Sequence, residues 1–211
     1  AARITSPATL SLNNTVLSDR DGDGMEDTVS INYGVLSNAF FEDLDVQINV
    51  RDSSGQLVDS TTDRVAAGGG VSVDGQVFFT APLADQYAFE MVMKDMLGEV
   101  VDTLQTSPQM LNNMKPVANG SVSLTEVQTW ENIQFQGAGF DAWGLSLSNN
   151  SLPYLDAPTA YAWVFGDNAS SNLKSPLRSY TDVGSYNATL RVRDRGGTWS
   201  ETQVHLINVS D

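Results

Sequence analysis

Alternation of apolar and polar residues in steps of two is the feature that most constrains how this chain can fold. Four stretches place an apolar side chain at every second position, and no long helical pattern competes with them. The four rows are Val29, Ile31, Tyr33 and Val35; Leu44, Val46, Ile48 and Val50; Tyr87, Phe89, Met91 and Met93; and Tyr186, Ala188, Leu190 and Val192. Since each such strand has one apolar and one polar face, the pattern predicts an all-β protein built from antiparallel sandwiches.

A short repeat marks the ends of three strands. RDSSGQLV (51–58), KDMLGEVV (94–101) and RDRGGTWS (193–200) each run from a basic residue and Asp, through two residues, to Gly and a new strand. The Asp can accept backbone hydrogen bonds at the corner of a turn, and Gly supplies a positive φ. We therefore predict three hairpin loops in which the aspartates stabilise the turn and do not bind a metal.

Residues 105–120, QTSPQMLNNMKPVANG, interrupt the alternation with prolines and polar amides. This composition is typical of a linker, and we place a domain boundary near Met114 to Lys115. The two predicted domains, 1–114 and 115–211, each have the size of an immunoglobulin-like sandwich. The sequence thus predicts two immunoglobulin-like antiparallel β-sandwiches in tandem.

The chain has a formal net charge of −15 and contains no cysteine. A strongly negative protein repels phosphate backbones and anionic membrane surfaces, so nucleic-acid binding and membrane association are not expected. No apolar run is long enough for a membrane span, and disulfides are excluded. Cations are the natural counterpart of such a charge, although an acidic surface also favours solubility.

The segment DRDGDGMED, residues 19–27, holds five carboxylates in nine residues. Ca²⁺ takes about six to eight oxygen ligands in a flexible geometry, and alternate aspartates with a glycine at a sharp turn can surround one ion. Mg²⁺ suits the loop less, because it demands a near-octahedral geometry. Glu26 is expected to face solvent. The predicted calcium ligands are the side chains of Asp19, Asp21, Asp23 and Asp27 and the backbone carbonyl of Met25.

This loop differs from an EF-hand, because Ser30 stands where a bidentate Glu would complete the ligands and strands are predicted where helices would flank it. It resembles the DxDGDGxxD loops of thrombospondin type-3 and related extracellular calcium repeats. The ion is expected to be structural, since the neighbouring sequence offers no proton-handling group for a catalytic metal. A solvated acidic turn without an ion is the alternative.

The second half of the chain carries another set of motifs. Its members are Trp163, Phe165, Gly166 and Asp167, followed by Pro176, Tyr180, Gly184, Tyr186, Leu190, Val192 and Asp194. These positions resemble the signature of the polycystic-kidney-disease (PKD) domain, and KPVANGSVSL (115–124) and NIQFQGAGF (132–140) resemble its first strands. The resemblance covers 115–211 and implies an immunoglobulin-like sandwich with Trp163 in its core.

Two positions depart from the PKD pattern. Asn168 replaces the usual Gly in a turn that is expected to need a positive φ, which Asn tolerates best among other residues. Residues 142–159 are longer than the usual loop, and enlarged loops can carry function. Some PKD domains of secreted enzymes hold calcium between the start of the linker and the loop after the second strand. Asn113 and Asp141 lie in roughly those places, so a second calcium site is an open alternative.

Two features raise the question of carbohydrate. Trp130, Trp143 and Trp199 lie near loops or strand ends, where we expect them to pack at the ends of the sandwiches, with stacking on sugar rings as the alternative. Asn-x-Ser/Thr sequons suggest a glycosylated surface protein, although a chain rich in Ser and Thr also produces them by chance. The sequon asparagines are Asn13, Asn119, Asn149, Asn168, Asn187 and Asn208.

The sequence shows no recognisable catalytic motif, and its single histidine, His205, lies in an alternating final strand. We therefore expect no enzyme but a calcium-stabilised extracellular or cell-surface module, acting as a spacer, adhesion or assembly element. One alternative is an accessory pair of a secreted protease or polysaccharidase that binds substrate or carbohydrate. Another is a subunit of a surface filament or layer joined through sheet edges. The expected partners are calcium ions, glycans or other surface proteins, and further copies of the chain.

Overall fold

The computed structural model describes residues 8–147 and 152–211. Within these ranges all regular elements are β-strands, which confirms the predicted all-β class. The chain forms two compact units, the first from Ala1–Asn113 with Trp143–Pro153 and the second from Met114–Ala142 with Tyr154–Asp211. The sequence predicts a single boundary near Met114 to Lys115. Of the stretch that the sequence assigns to a loop of the second domain, the described residues 143–147 and 152–153 group with the first unit.

The first unit is a sandwich of two antiparallel sheets. One contains β1, β2 and β5, and the other has the order β4-β3-β6-β7, with β8 also paired to β6. The strand β13 spans Gly139–Ser146, and its last three residues, Gly144–Ser146, pair with the edge of β5. The strands are β1 (Thr9–Ser18), β2 (Thr28–Leu36), β3 (Glu42–Arg51), β4 (Leu57–Ala67), β5 (Ser72–Thr80), β6 (Asp85–Lys94), β7 (Val100–Gln105) and β8 (Gln109–Leu111).

The core of the first unit consists of the three apolar rows that the sequence predicts on β2, β3 and β6. All twelve of these side chains are at most 2% exposed. The ring of Phe79 meets those of Tyr87 and Phe89 edge-on, with centroids 5.0 and 5.7 Å apart. Burying a side chain of this size contributes roughly 1.5–3 kcal/mol relative to leaving it exposed, so these rows supply much of the hydrophobic stabilisation of the sandwich.

The second unit is also a sandwich, with sheets of order β11-β19-β18-β15-β16 and β10-β12-β17. Most of its pairs are antiparallel, as predicted, but β11 runs parallel to β19. Its strands are β9 (Val117–Ala118), β10 (Ser121–Val122), β11 (Glu126–Gln128), β12 (Ile133–Gln136), the start of β13, β14 (Tyr154–Asp156), β15 (Ala160–Val164), β16 (Ser170–Ser171), β17 (Leu177–Arg178), β18 (Gly184–Arg193) and β19 (Gln203–Ser210).

Trp163 lies at the centre of the second core, fully buried as the PKD resemblance implied. Phe135 packs between Trp163 and Phe165, with ring centroids 5.2 and 5.0 Å away. In the predicted row on β18, Ala188 and the two apolar residues after it are fully buried, while Tyr186 is half-buried at the margin. Across the described residues of both units, no helix is long and apolar enough to span a membrane.

The three repeated Asp–Gly segments are hairpin turns, as predicted. The glycines have φ values in the left-handed region, where only glycine is unstrained: Gly55 at 82°, Gly98 at 81° and Gly197 at 96°. Each Asp carboxylate accepts N–H groups within its own turn. The donors are Ser54 and Gln56 for Asp52, Leu97 and Glu99 for Asp95, and Thr198 for Asp194, at 2.8–3.0 Å.

Candidate metal centre

The acidic loop 19–27 connects β1 to β2, whose facing ends are Ser18 and Thr28. The N–H of Asp27 donates to the carbonyl of Ser18 at 3.1 Å and closes the loop at its base. The carbonyl of Asp27 accepts the N–H of Ala81 at 2.9 Å, and that of Glu26 accepts the N–H of Asn112 at 2.7 Å. The loop is therefore anchored to the residues that directly follow β5 and β8.

Asp19 organises the first half of the loop. Its carboxylate accepts the backbone N–H groups of Gly22, Asp23 and Gly24 at 2.7, 3.2 and 2.7 Å. Gly22 and Gly24 have φ values of 78° and 89°, so the chain turns at both glycines of the motif. The hydrogen bond from Gly24 is the main cause that lowers the pKa of Asp19, and the carboxylate is ionised at neutral pH.

Asp27 organises the second half and is only 1% exposed. Its carboxylate accepts the N–H groups of Arg20 and Asp21 at 3.1 and 3.3 Å and the hydroxyl of Thr28 at 2.6 Å. The Thr28 hydroxyl in turn lies 2.8 Å from that of Thr80, which fixes its position. Burial raises the pKa of Asp27 despite these bonds. An ionised carboxylate that is buried near other acidic groups lowers the stability of the fold. A bound cation would offset this cost by neutralising the charge.

The loop brings three of the four predicted aspartate ligands together. Carboxylate oxygens of Asp19, Asp21 and Asp27 lie within 4.8 Å of one another. Asp23 lies outside this group, and its carboxylate accepts the N–H of Met25 at 2.9 Å. Three hard oxygen donors in one loop fit the chemistry of Ca²⁺. Coordination of Ca²⁺ by Asp19, Asp21 and Asp27 stays a prediction, as does coordination by Asp23 and by the Met25 carbonyl.

Asp141 is the other carboxylate in an unusual environment. It is 4% exposed, and its Oδ1 lacks a hydrogen-bond partner within the described residues. Burial raises its pKa to about 7, and the negative charges of Asp194 and Asp156 add to the effect. Asp156 is itself paired with Arg195, at 3.3 Å. The second calcium site suggested for Asp141 and Asn113 stays a prediction, and Asn113 belongs to the first unit.

The tryptophans near strand ends differ in their environments. Trp199 is half-buried, with the guanidinium groups of Arg191 and Arg193 at 5.5 and 5.8 Å from its ring centroid. Trp143 is also half-buried. Trp130 is 70% exposed, so the prediction that it packs at the end of a sandwich is wrong for this residue. Its positive φ of 67° places it at a turn that projects into solvent.

Asn168 has a φ of 69°, which confirms that this turn needs the left-handed conformation. It is also one of the sequon residues. Asn13 and Asn187 are exposed, whereas Asn208 is half-buried and donates to Glu126 at 2.8 Å. Asn149 lies outside the described residues, so its sequon has no structural context.

His205 lies on β19, opposite Ala188 of β18. The ring is half-buried, with its centroid 6.0 Å from that of Trp163, and burial lowers its pKa. An imidazole that packs against the core of a sandwich is a strand side chain, as the sequence predicts.

Residues 113–209 match the PKD domain family model. A search of curated proteins finds no match. Among solved structures, the PKD1 domain of the Vibrio cholerae metalloprotease PrtV is 27% identical over 46% of this chain and 99% of that chain, with a TM-score of 0.34. Fibronectin(III)-like modules of Clostridium thermocellum CbhA are 12% identical over 96% of this chain and 94% of theirs, with a TM-score of 0.36.

The family match and the all-β architecture support a β-sandwich of the immunoglobulin-like type for these residues, and within that class they are similar to PKD domains. PKD domains are non-catalytic modules that are typically extracellular. The family match covers the second part of the chain. It says nothing about the acidic loop, which lies in residues 19–27.

Proposed function

We propose that this chain is a non-catalytic, calcium-stabilised extracellular module that acts as a spacer, adhesion or assembly element of a cell-surface protein. The observation that carries the proposal is the convergence of Asp19, Asp21 and Asp27 within 4.8 Å in one anchored loop. The PKD match of residues 113–209 supports the extracellular and non-catalytic parts. Calcium is abundant outside cells, where module affinities of about 10⁻⁴–10⁻³ M are sufficient for binding.

Asp19, Asp21 and Asp27 would hold the ion, with Asp23 and the Met25 carbonyl as further predicted ligands. The bound ion supplies positive charge that offsets the repulsion among the carboxylates. Hydrogen bonds then transmit the stabilisation to the sheets, because the carbonyl groups of residues 26 and 27 accept N–H groups from the residues that directly follow β8 and β5. At a calcium concentration ten times the dissociation constant, binding stabilises the folded unit by about 1.4 kcal/mol.

Calorimetric titration of the full chain with Ca²⁺ tests this site. Asp27→Asn removes a buried charge from the cluster, and we expect it to weaken binding roughly tenfold or more. Glu26→Gln is the matched control, since it removes an adjacent but exposed charge and should leave the affinity within about twofold. Asp21→Asn gives a second ligand variant, should Asp27→Asn fail to fold. Equal affinities for the ligand variants and Glu26→Gln would contradict the proposed site.

Assembly is the second candidate function, and β1 is the observation that favours it. Its ten residues, TLSLNNTVLS, include no charged residue and no proline in a chain of net charge −15. β1 stands at the end of its sheet, with Val16 and Leu17 exposed by 48% and 38%. Asp102 caps the N–H of Leu10 at 2.8 Å, and a bulge interrupts the strand between Leu12 and Asn14. The stretch 14–18 remains as a template for strand addition.

Light scattering across a range of protein concentrations tests assembly through this edge. We expect the wild-type mass to rise with concentration and Val16→Lys to remain monomeric, because a lysine on the edge opposes strand pairing. Val183→Lys adds the same charge at a similarly exposed residue of the second unit, which is 57% exposed, and should assemble like the wild type. A wild-type chain that stays monomeric, or a Val16→Lys variant that assembles normally, would exclude this edge.

A further inference from the structure

Trp130 combines two properties that rarely occur together. The N–H of Glu131 donates to the carbonyl of Gln128 at 3.1 Å, so Trp130 is the third residue of a four-residue turn. Its φ of 67° is the conformation that glycine adopts there and that bulky side chains disfavour. Yet the side chain is 70% exposed, so little core packing compensates for the strain. Strain retained on the surface points to a function for the side chain.

The turn that carries Trp130 is held in place by bonds to distant parts of the second unit. The N–H of Trp130 donates to the carbonyl of Tyr180 at 2.8 Å, and the N–H of Thr129 donates to the carbonyl of Ser210 at 2.8 Å. The carboxylate of Glu131 accepts the N–H of Gln128 at 3.0 Å. The indole is therefore displayed on a preorganised support, and a ligand would not have to order the turn on binding.

The surroundings of the turn determine the charge of a suitable ligand. Glu131 is exposed beside Trp130, Asp182 is exposed two residues beyond Tyr180, and Asp211 follows Ser210. Arg178, the nearest cation along these segments, is engaged by the Asp167 carboxylate and the Phe165 ring. An aromatic face attracts cations, and adjacent carboxylates add to that attraction while they repel anions.

We propose that the Trp130 turn is a binding site for a cationic side chain, arginine or lysine, of a partner polypeptide. The second unit already contains the same chemistry in its own fold, where Arg191 and Arg193 lie over the ring of Trp199. Arginine fits best, because its planar guanidinium can stack on the indole and donate to a carboxylate at the same time. This site is independent of the calcium loop, which belongs to the first unit.

Nuclear magnetic resonance of the ¹⁵N-labelled full chain at physiological salt tests the proposal through the indole N–H signals. Blocked tri-arginine should shift the Trp130 signal saturably, and blocked tri-glutamate should not. Asp182→Asn should weaken tri-arginine binding about twofold, as expected for one exposed charge. Phe40→Ala, which removes a fully exposed aromatic side chain from the first unit, should leave the response of Trp130 unchanged.

Trp130→Gly separates a binding role from a structural one. It identifies the Trp130 signal by its loss, and it should unfold at the same temperature as the wild type or higher, because glycine relieves the positive φ. A lower unfolding temperature would show that Trp130 stabilises the fold and would overturn the proposal. A Trp130 signal that responds to cellohexaose but not to tri-arginine would also overturn it and assign the turn to neutral glycans. No response to either probe would exclude a ligand site.

Discussion

Asp27 and Asp141 are both buried carboxylates, but they differ in their hydrogen-bond partners and in the charges around them. Asp27 accepts bonds from Arg20, Asp21 and Thr28 and faces a cluster that a cation can neutralise. Asp141 has an oxygen without a hydrogen-bond partner among the described residues and feels further acidic groups. Burial raises the pKa of both groups, so each costs the fold free energy when it ionises.

Asp141 should therefore make the second unit less stable as the pH rises. Its pKa of about 7 in the folded state exceeds the ordinary value of 3.8, so the folded chain binds more protons between these values. The stabilisation of the folded state by the protonated Asp141 carboxyl is fully present below about pH 4 and is lost as the pH rises through 7. The free energy of unfolding then falls by no more than about 1.4 kcal/mol per pH unit.

Urea denaturation at pH 5 and pH 8, with a chelator to exclude metal ions, measures this dependence. Asp141→Asn should unfold with a smaller difference between the two pH values than the wild type, and it should be the more stable protein at pH 8. The comparison cancels the general effect of the acidic surface, which both proteins share. Parallel pH dependences for the two proteins would show that Asp141 is not the group responsible.

Single residues also show how far sequence predicts conformation. The positive φ of Asn168 was predictable, because Asn replaces Gly in a recognisable motif and tolerates that conformation. The positive φ of Trp130 was not, because a bulky aromatic residue gives no local signal for it. The bonds that impose it come from Tyr180 and Ser210, which are distant in the sequence. Long-range contacts override local preference at this turn.

At the level of elements, long strands were predictable and short ones were not. The rows on β2, β3 and β6 can be recognised in the sequence, because each strand buries one face and repeats the alternation several times. The pairing of Gly144–Ser146 with β5 has no such pattern, since three residues are too few to show a period. The acidic motif identified a candidate site in the same way, by spacing. The contacts of Glu26 and Asp27 with the ends of β5 and β8 depend on tertiary structure alone.

Two glycines of the first unit are required for different reasons. Gly55 has a backbone conformation that strains other residues, and Gly75 has no space for a side chain. A Cβ at Gly75 on β5 would lie 2.3 Å from the ring of Tyr33, which is fully buried and donates its hydroxyl to Asp63. A Cβ at Gly55 would meet nothing within 4 Å, but φ there is 82°. Gly75→Ala should cost roughly 2–3 kcal/mol through overpacking, and Gly55→Ala about 1 kcal/mol through its backbone.

Chemical denaturation of the two alanine variants under identical conditions checks this ranking. Both substitutions add one methyl group in the same unit, so each serves as the control for the other. If Gly55→Ala were as destabilising as Gly75→Ala, the tight packing of Tyr33 against β5 would not make Gly75 the position least tolerant of an added methyl group. The result would then place the main constraint in the hairpin turns.

At the scale of the whole molecule, two separate hydrophobic cores support two units. The ligands predicted in the acidic loop all lie in the first unit, whereas the PKD match covers the second part of the chain. The account therefore predicts that calcium stabilises one unit and leaves the other unchanged. A general reduction of the net charge of −15 by cations would instead stabilise both.

Differential scanning calorimetry of the full chain, in Ca²⁺, in the same concentration of Mg²⁺ and in a chelator, tests this central claim most directly. We predict that the chelator lowers the unfolding temperature of the first unit by about 5 °C and leaves that of the second unit unchanged, with Mg²⁺ closer to the chelator than to Ca²⁺. Asp27→Asn identifies the first transition, since it should lose the calcium response. Transitions that do not move on chelation, or that both move by the same amount, would contradict the account.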